Sequence, residues 1–167
     1  MDIAQYTLLR QEELFVKLNG GVILSKLDLS EAYLQMELDD NAKEVLVINT
    51  LKGLSQFHRM SFSIASAPTI FKRVMEQVTA GLDYVACYLD DIVVTGTTFG
   101  HHLSNLENVF QGLSDFGFTL NKEKCAFFGT EVEYLGQIVS KGGVRPSPEE
   151  KSAILDMPEP TNVPELR

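Results

Sequence analysis

Residues 86–96 read "ACYLDDIVVTG", and the way this stretch folds decides the rest. Asp90 and Asp91 stand between an apolar run ending in Tyr88 and Leu89 and a β-branched run, Ile92, Val93, Val94 and Thr95. Adjacent like charges repel, and flanks that bury them raise the cost of keeping both ionised. The pattern is that of a buried hairpin with its charge at the bend. A second doublet in the chain, Asp39 and Asp40 in "ELDDN", provides a control: it is flanked by polar residues and reads as a surface turn. What sets the doublet at 90 and 91 apart is its apolar setting and an upstream aspartate, Asp28, at the end of an apolar strand.

Working outward, "QEELFVKL" (11–18) has helical spacing at Leu14, Phe15 and Leu18, and "NGG" (19–21) stops it. "VILSKLDL" (22–29) reads as a core strand carrying Asp28 at its end. "YLQMEL" (33–38), "VLVINT" (45–50) and "LSQFHRM" (54–60) read as successive strands, joined by the turn-like "DDNAKE" and "LKG". Ser66 is placed to cap a helix with Pro68 in its first turn; Ile70, Phe71, Val74, Met75 and Val78 follow the helical period, and Gly81 closes it. After the hairpin, a second helix runs from about His101 to Phe116, with Leu103, Leu106, Val109, Phe110, Leu113 and Phe116 as its stripe and Gly117 as its stop. The adjacent His101 and His102 open that helix at the surface. Short strands ("FTL", "CAFF", "VEYLGQIVS"), a "KGG" turn and a Pro-rich end follow. The expected fold class is α+β, with helices packed on one face of an antiparallel sheet.

At 167 residues, 44% of them apolar, the chain suits one soluble globular domain with a sizeable core. No apolar run approaches the roughly 20 residues of a membrane span, and "MDIAQYTLLRQEE" does not read as a signal peptide. Cys87 and Cys125 have no CxxC spacing and no neighbouring histidine, which points to buried thiols of an intracellular protein rather than to zinc or a disulfide framework. The net charge of −9 argues against a nucleic-acid grip by bulk electrostatics alone.

If the strand ending in Asp28 pairs with the hairpin strand, three carboxylates meet at one sheet edge. Such a cluster calls for compensating cations, and hard oxygen ligands select Mg²⁺ or Mn²⁺. Two such ions about 3.5–4 Å apart serve phosphoryl transfer by activating one oxygen and stabilising the leaving one. The plainer alternative is a solvated turn.

Five ordered segments then carry a resemblance. "LSKLDLSEAYLQMELDD", "RMSFSIASAPTIFKRVM" and "CYLDDIVVTG" resemble the first three catalytic motifs of reverse transcriptases from gypsy-like long-terminal-repeat retrotransposons, and "GFTLNKEKCAFF" and "VEYLGQIVSKGGVRP" resemble the two segments that follow; "PEPTNVPELR" resembles the connection beyond. The resemblance implies a polymerase palm with partial fingers and the start of a thumb or connection: an entry helix and turn over about 1–21, a palm core over 22–139 and the start of the thumb over 140–167. It implies that Asp28, Asp90 and Asp91 form the metal-binding triad for two Mg²⁺ or Mn²⁺ ions. Asp28 and Asp90 would be direct ligands, assisted by the carbonyl of Leu29. Tyr33 matches the aromatic that excludes a ribose 2′-OH. Phe62, Ser63, Ala67 and Pro68 fall in the stretch lining the incoming deoxynucleoside triphosphate and template base, with Tyr88 and Leu89 near the primer end. Tyr134, Leu135 and Gly136 match the primer-gripping hairpin. Lys124 or Lys122 is the candidate proton donor to pyrophosphate, against a solvated role for either. Lys72 and Arg73 could reach a phosphate or simply face solvent, and His58 matches no motif. The implied partners are a primed RNA or DNA template and a deoxynucleoside triphosphate, within a longer polyprotein bearing RNase H and integrase. The implied location is the cytoplasm, in a virus-like particle.

Three departures weigh against full activity. Ser61-Phe62-Ser63 stands where the family usually has Pro-Phe-Gly, and glycine there permits close backbone approach. "YTLLR" replaces Tyr-Pro-Leu-Pro. The basic finger strands and the RNase H domain of the family have no counterpart here. Two functions are therefore weighed: an RNA-directed DNA polymerase palm, weak or inactive as this piece, and a non-catalytic remnant acting as a binding or interaction domain. A nucleotide cyclase is disfavoured because no glycine-rich signature precedes the acidic pair. An RNA-recognition module is disfavoured because "VLVINT" offers no aromatic, although Phe57 follows.

Overall fold

The computed structural model describes residues 11–62 and 64–155. The chain runs α1 (Gln11–Lys17), β1 (Ile23–Asp28), a 3-10 turn (Ala32–Gln35), α2 (Asp40–Val45), β2 (Val47–Thr50), β3 (Gly53–Gln56), α3 (Ala67–Val78), β4 (Val85–Tyr88), β5 (Asp91–Gly96), α4 (Phe99–Asp115), β6 (Ala126–Gly129), β7 (Glu131–Tyr134), β8 (Gln137–Ser140), β9 (Gly143–Pro146) and α5 (Pro148–Leu155).

β1 lies inside a four-stranded sheet of order β4-β5-β1-β6. It pairs antiparallel with β5 from Ile23↔Gly96 to Asp28↔Asp91, and β5 pairs antiparallel with β4 through the two-residue turn Leu89–Asp90. Alternation of side chains along these strands sends Leu27, Ile92 and Val94 to one face and Leu24 and Val93 to the other. The first face is covered by Phe71, Met75 and Val78 of α3 and by Leu106, Val109 and Leu113 of α4. The second is covered by Leu14 and Leu18 of the α1 segment and by Val132, Tyr134 and Val139 of the three-stranded β7-β8-β9 sheet. Val93 and Val94 are both 0% exposed, so the apolar run of the hairpin is buried because the strand has a layer on each side. Each such side chain contributes about 1.5–3 kcal/mol by leaving water.

Two helices needed local help from neighbouring backbone. Gly96 lies so close to α4 that an added Cβ would sit 2.5 Å from His102 Cα, and Gly112 gives α4 the same proximity to Val78 of α3. Thr98 caps α4, its hydroxyl accepting from the His101 amide at 3.2 Å.

Several expectations are corrected. Residues 33–38 are not a strand: Ala32–Gln35 form the 3-10 turn, and only Glu37 bridges to Arg59. Gln35 explains this, since its side-chain amide Nε2 donates to Ser30 O and its side-chain oxygen Oε1 accepts from the Thr119 amide, knitting the turn to the loop before β6 rather than to a ladder. The joint "DDNAKE" is helix α2, because the Asp39 carboxylate accepts from the Ala42 amide at 2.7 Å and caps it. Ser66 precedes α3 but makes no side-chain cap bond; its own backbone is already helical. Of the α4 stripe, Leu103, Phe110 and Phe116 are exposed. His102 takes a core position instead, 0% exposed, sharing a 2.8 Å hydrogen bond with Ser25 Oγ of β1. Both cysteines are half-buried and free, and among the described residues no helix is long and apolar enough to cross a membrane.

Candidate active site

Asp28 ends β1 and Asp91 opens β5, and the two are direct partners in the ladder. Asp90 precedes Asp91 in the turn. The register therefore gathers the three aspartates at one end of the two inner strands. Backbone contacts hold them there. The Leu29 amide donates to Asp90 O at 3.3 Å, and the Asn121 amide to Asp28 O at 2.9 Å. The Asp28 amide donates to Cys125 Sγ at 3.4 Å. Leu89 adopts φ +54°, in the left-handed region that a non-glycine residue enters only at a cost; the Cys87 thiol donates to its carbonyl at 3.4 Å.

Their charges are felt by their neighbours. Burial raises the carboxyl pKa of Asp91, Lys26 opposes the rise, and Asp90 and Asp28 add to it. Burial and the charge of Asp90 raise the phenol of Tyr33. Burial, then Asp90 and Asp91, push the Cys87 thiol up to about 12, against the pull of Lys17, so Cys87 is a packing residue and not a nucleophile. Two lysines answer the carboxylates: Lys26 Nζ lies 3.2 Å from Asp91 Oδ2, and Lys124 Nζ lies 3.9 Å from Asp28 Oδ1. Among the described residues no three His, Cys, Asp or Glu side chains converge to hold a metal ion. The donor set nevertheless suits a hard divalent cation, because it is all carboxylate oxygen and the charges of Asp90 and Asp28 add to the raised carboxyl pKa of Asp91. Asp28 and Asp90 could hold one; Asp91 is engaged by Lys26.

The other expected site residues divide. Tyr33 is half-buried, edge-on to Phe62 at 5.2 Å and to Phe71 at 5.1 Å between ring centroids. Phe62 and Pro68 are exposed, whereas Ala67, 1% exposed, points into the core and offers no side chain to a ligand. Tyr88 and Leu89 are half-buried at the hairpin bend. Ser63 lies outside the described residues, as does the segment "MPEPTNVPELR". The β7–β8 hairpin forms as expected, with Leu135 at φ +52° and Gly136 at φ +72° in its bend. Tyr134, however, is fully buried against Phe15, its ring centroid 6.2 Å away, so of the three matched residues Leu135 and Gly136, half-buried in the bend, are the ones with surface to offer a partner. Lys72 pairs with Glu76 at 3.5 Å on α3, Arg73 and His58 are exposed, and Lys122 is exposed with Lys124 the one that reaches Asp28. A cavity of about 380 Å³ lined by Phe15, Leu18, Val139 and Lys141 touches none of the three aspartates. Sequence reasoning missed Lys26. Its signal was period-two alternation, which puts residue 26 on the same face as residue 28.

An antiparallel sheet with carboxylates at the end of its inner strands and two long helices behind it is the architecture of a polymerase palm. The family model described as reverse transcriptase (RNA-dependent DNA polymerase) matches residues 3–139, and the chain belongs to this family. It is 38% identical over 155 residues to an uncharacterized protein of Caenorhabditis elegans, covering 93% of this chain and 12% of that protein. It is 32% identical over 165 residues to the retrovirus-related Pol polyprotein from transposon 297 of Drosophila melanogaster, covering 98% of this chain and 16% of the polyprotein. The chain thus spans well under a fifth of these relatives. Its fold matches that of the foamy viral protease-reverse transcriptase solved in complex with an RNA/DNA hybrid, at TM-score 0.81 and 21% identity, over 97% of this chain and 22% of that one.

Proposed function

We propose that the chain is the palm of a retrotransposon RNA-directed DNA polymerase, joining a deoxynucleoside triphosphate to a primer 3′-OH on an RNA or DNA template. The observation that carries the reading is the ladder pairing of Asp28 with Asp91, with Asp90 next to it in a two-residue turn. Asp28 and Asp90, with the Leu29 carbonyl, would hold two Mg²⁺ or Mn²⁺ ions, which when bound supply Lewis acidity at the attacking and leaving oxygens. The chain's own residues do the positioning. Tyr33 is braced by Phe71 behind and Phe62 in front, and Asp90 lies near enough to raise its phenol; a ring fixed beside the carboxylates serves as the gate against a 2′-OH. Phe62 and Pro68 give the nucleotide its exposed apolar wall. The bend at Leu135 and Gly136 offers backbone to the primer. Lys124, exposed and only 3.9 Å from Asp28, is the Nζ that can hand a proton to departing pyrophosphate.

A second reading, a non-catalytic family member that binds a partner, is favoured by the net charge of −9, which leaves nucleic acid little electrostatic hold on this part. Primer extension on a primed RNA template with Mg²⁺ or Mn²⁺ separates the two. The polymerase reading expects slow extension, raised when a basic finger segment is fused upstream. Asp90→Asn should lower it by roughly a hundredfold or more, while Asp40→Asn, in the exposed α2, leaves it unchanged. Extension that persists in Asp90→Asn removes the proposed chemistry.

A further inference from the structure

β1 carries a lysine on the face it shares with the buried Leu24. Lys26 and Asp28 project from the same side of β1, and because Lys26 registers against Val93 and Asp28 against Asp91, Lys26 is the diagonal neighbour of Asp91. Its Nζ reaches Asp91 Oδ2 at 3.2 Å, with both side chains 27% exposed. The cation at Asp28 is differently held: Lys124 is 3.9 Å away and its side chain is 68% exposed, so it can swing into solvent at little cost. Among the described residues no ion pair involves Asp90. One carboxylate of the three is therefore fastened, one is loosely screened and one is open.

We propose that Lys26 is a positioning residue, whose ammonium holds the Asp91 carboxylate along the β1–β5 ladder and out of the cation-binding set, leaving Asp28 and Asp90 as the ligands. The inference rests on the polymerase reading. A half-buried carboxylate without a partner is costly, and one left free beside two others would compete for the same ions and displace them from the nucleotide. A lysine suits the task because its flexible stem crosses one rung of the ladder and its charge is compact. It needs no ligand to act, since the pair is already formed.

A double-variant cycle on cation affinity tests this without activity. Mn²⁺ uptake is measured by electron paramagnetic resonance of the free ion, and the site's share is the uptake lost in Asp90→Asn. Lys26→Met keeps the stem and removes the charge, so it frees Asp91 and should tighten that share by roughly tenfold; with Asp91→Asn already present the same change acts only through distant charge and tightens it by roughly threefold or less. Lys26→Arg should stay within about twofold of the native chain, and primer extension should fall in Lys26→Met and return in Lys26→Arg. Asp91→Asn alone should retain the site's uptake, which holds even if Lys26→Met fails to fold. Equal factors in both backgrounds, an arginine variant that behaves like the methionine one, or loss of uptake in Asp91→Asn overturns the inference. Native chain with no uptake sensitive to Asp90→Asn instead overturns the polymerase reading, before any Lys26 variant is compared.

Discussion

The inner hairpin strand β5 and the small β2–β3 pair are built from similar residues and end in opposite circumstances. β5 buries Ile92, Val93 and Val94 at 0% exposure; β2 and β3 are exposed at every position, with Leu54 at 79% and the intervening Leu51 fully in solvent. Both pair antiparallel with tight turns, so local pairing is not the difference. The four-stranded sheet has a layer on each face, and β2–β3 has none among the described residues. β-propensity brings a strand into being, but only the layers above and below it turn apolar side chains into stability.

That contrast can be broken or sharpened by substitution. The largest effect is expected for Ile92→Ala, which opens a hole between the sheet and α3: urea denaturation should show a loss of about 2–5 kcal/mol. Gly96→Ala comes next, since the new methyl would meet the α4 backbone at 2.5 Å; a loss of about 1–3 kcal/mol by the same measurement is expected. Acidification should be felt through His102. Burial lowers its pKa below the ordinary 6.5, with a backbone bond at Thr95 partly opposing. The unfolded chain therefore takes up the proton first, so stability is constant above about pH 6.5 and is lost as the pH falls below it. The urea midpoint should trace that decline, and His102→Gln should remove the part of it that begins near pH 6.5. The smallest effect belongs to Leu54→Ser in β3, within about 0.5 kcal/mol of the native chain. A large loss there would mean that β2–β3 rests on something in the folded chain after all.

Most of the architecture was legible where one periodicity ruled. β1, the β4–β5 hairpin, α3 and α4 follow from apolar spacing and from Gly81 and Gly117 as stops, both of which adopt positive φ. It failed where a side chain bonded to distant backbone. Gln35 turns residues 33–38 away from a strand through partners near residue 119, and nothing local announces that. α2 was readable in principle from Asp39 as a cap, but two acids in a row masked it as a turn. His102 stands on the same helical stripe as Leu106, Val109 and Leu113, and only its polarity hid its place. In the site, apolar spacing alone left the meeting of Asp28 with the doublet conditional on how the strands pair, and it was the resemblance of the ordered motifs that implied it. The inward turn of Tyr134 and the hold of Lys26 on Asp91 were not legible, since each depends on which face of a strand is covered.

The bend at Leu89 and Asp90 has room for two residues only, and both strands beyond it are packed on two sides. One added residue on the Asp91 side would slip β5 by a single step, exchange Ile92 and Val93 between the layers, and carry Asp91 off the rung it shares with Asp28. Chain length at this corner is thus under a double veto, from the core and from the proposed chemistry, and a change of side chain at Leu89 should be tolerated far more often than an insertion or deletion beside it.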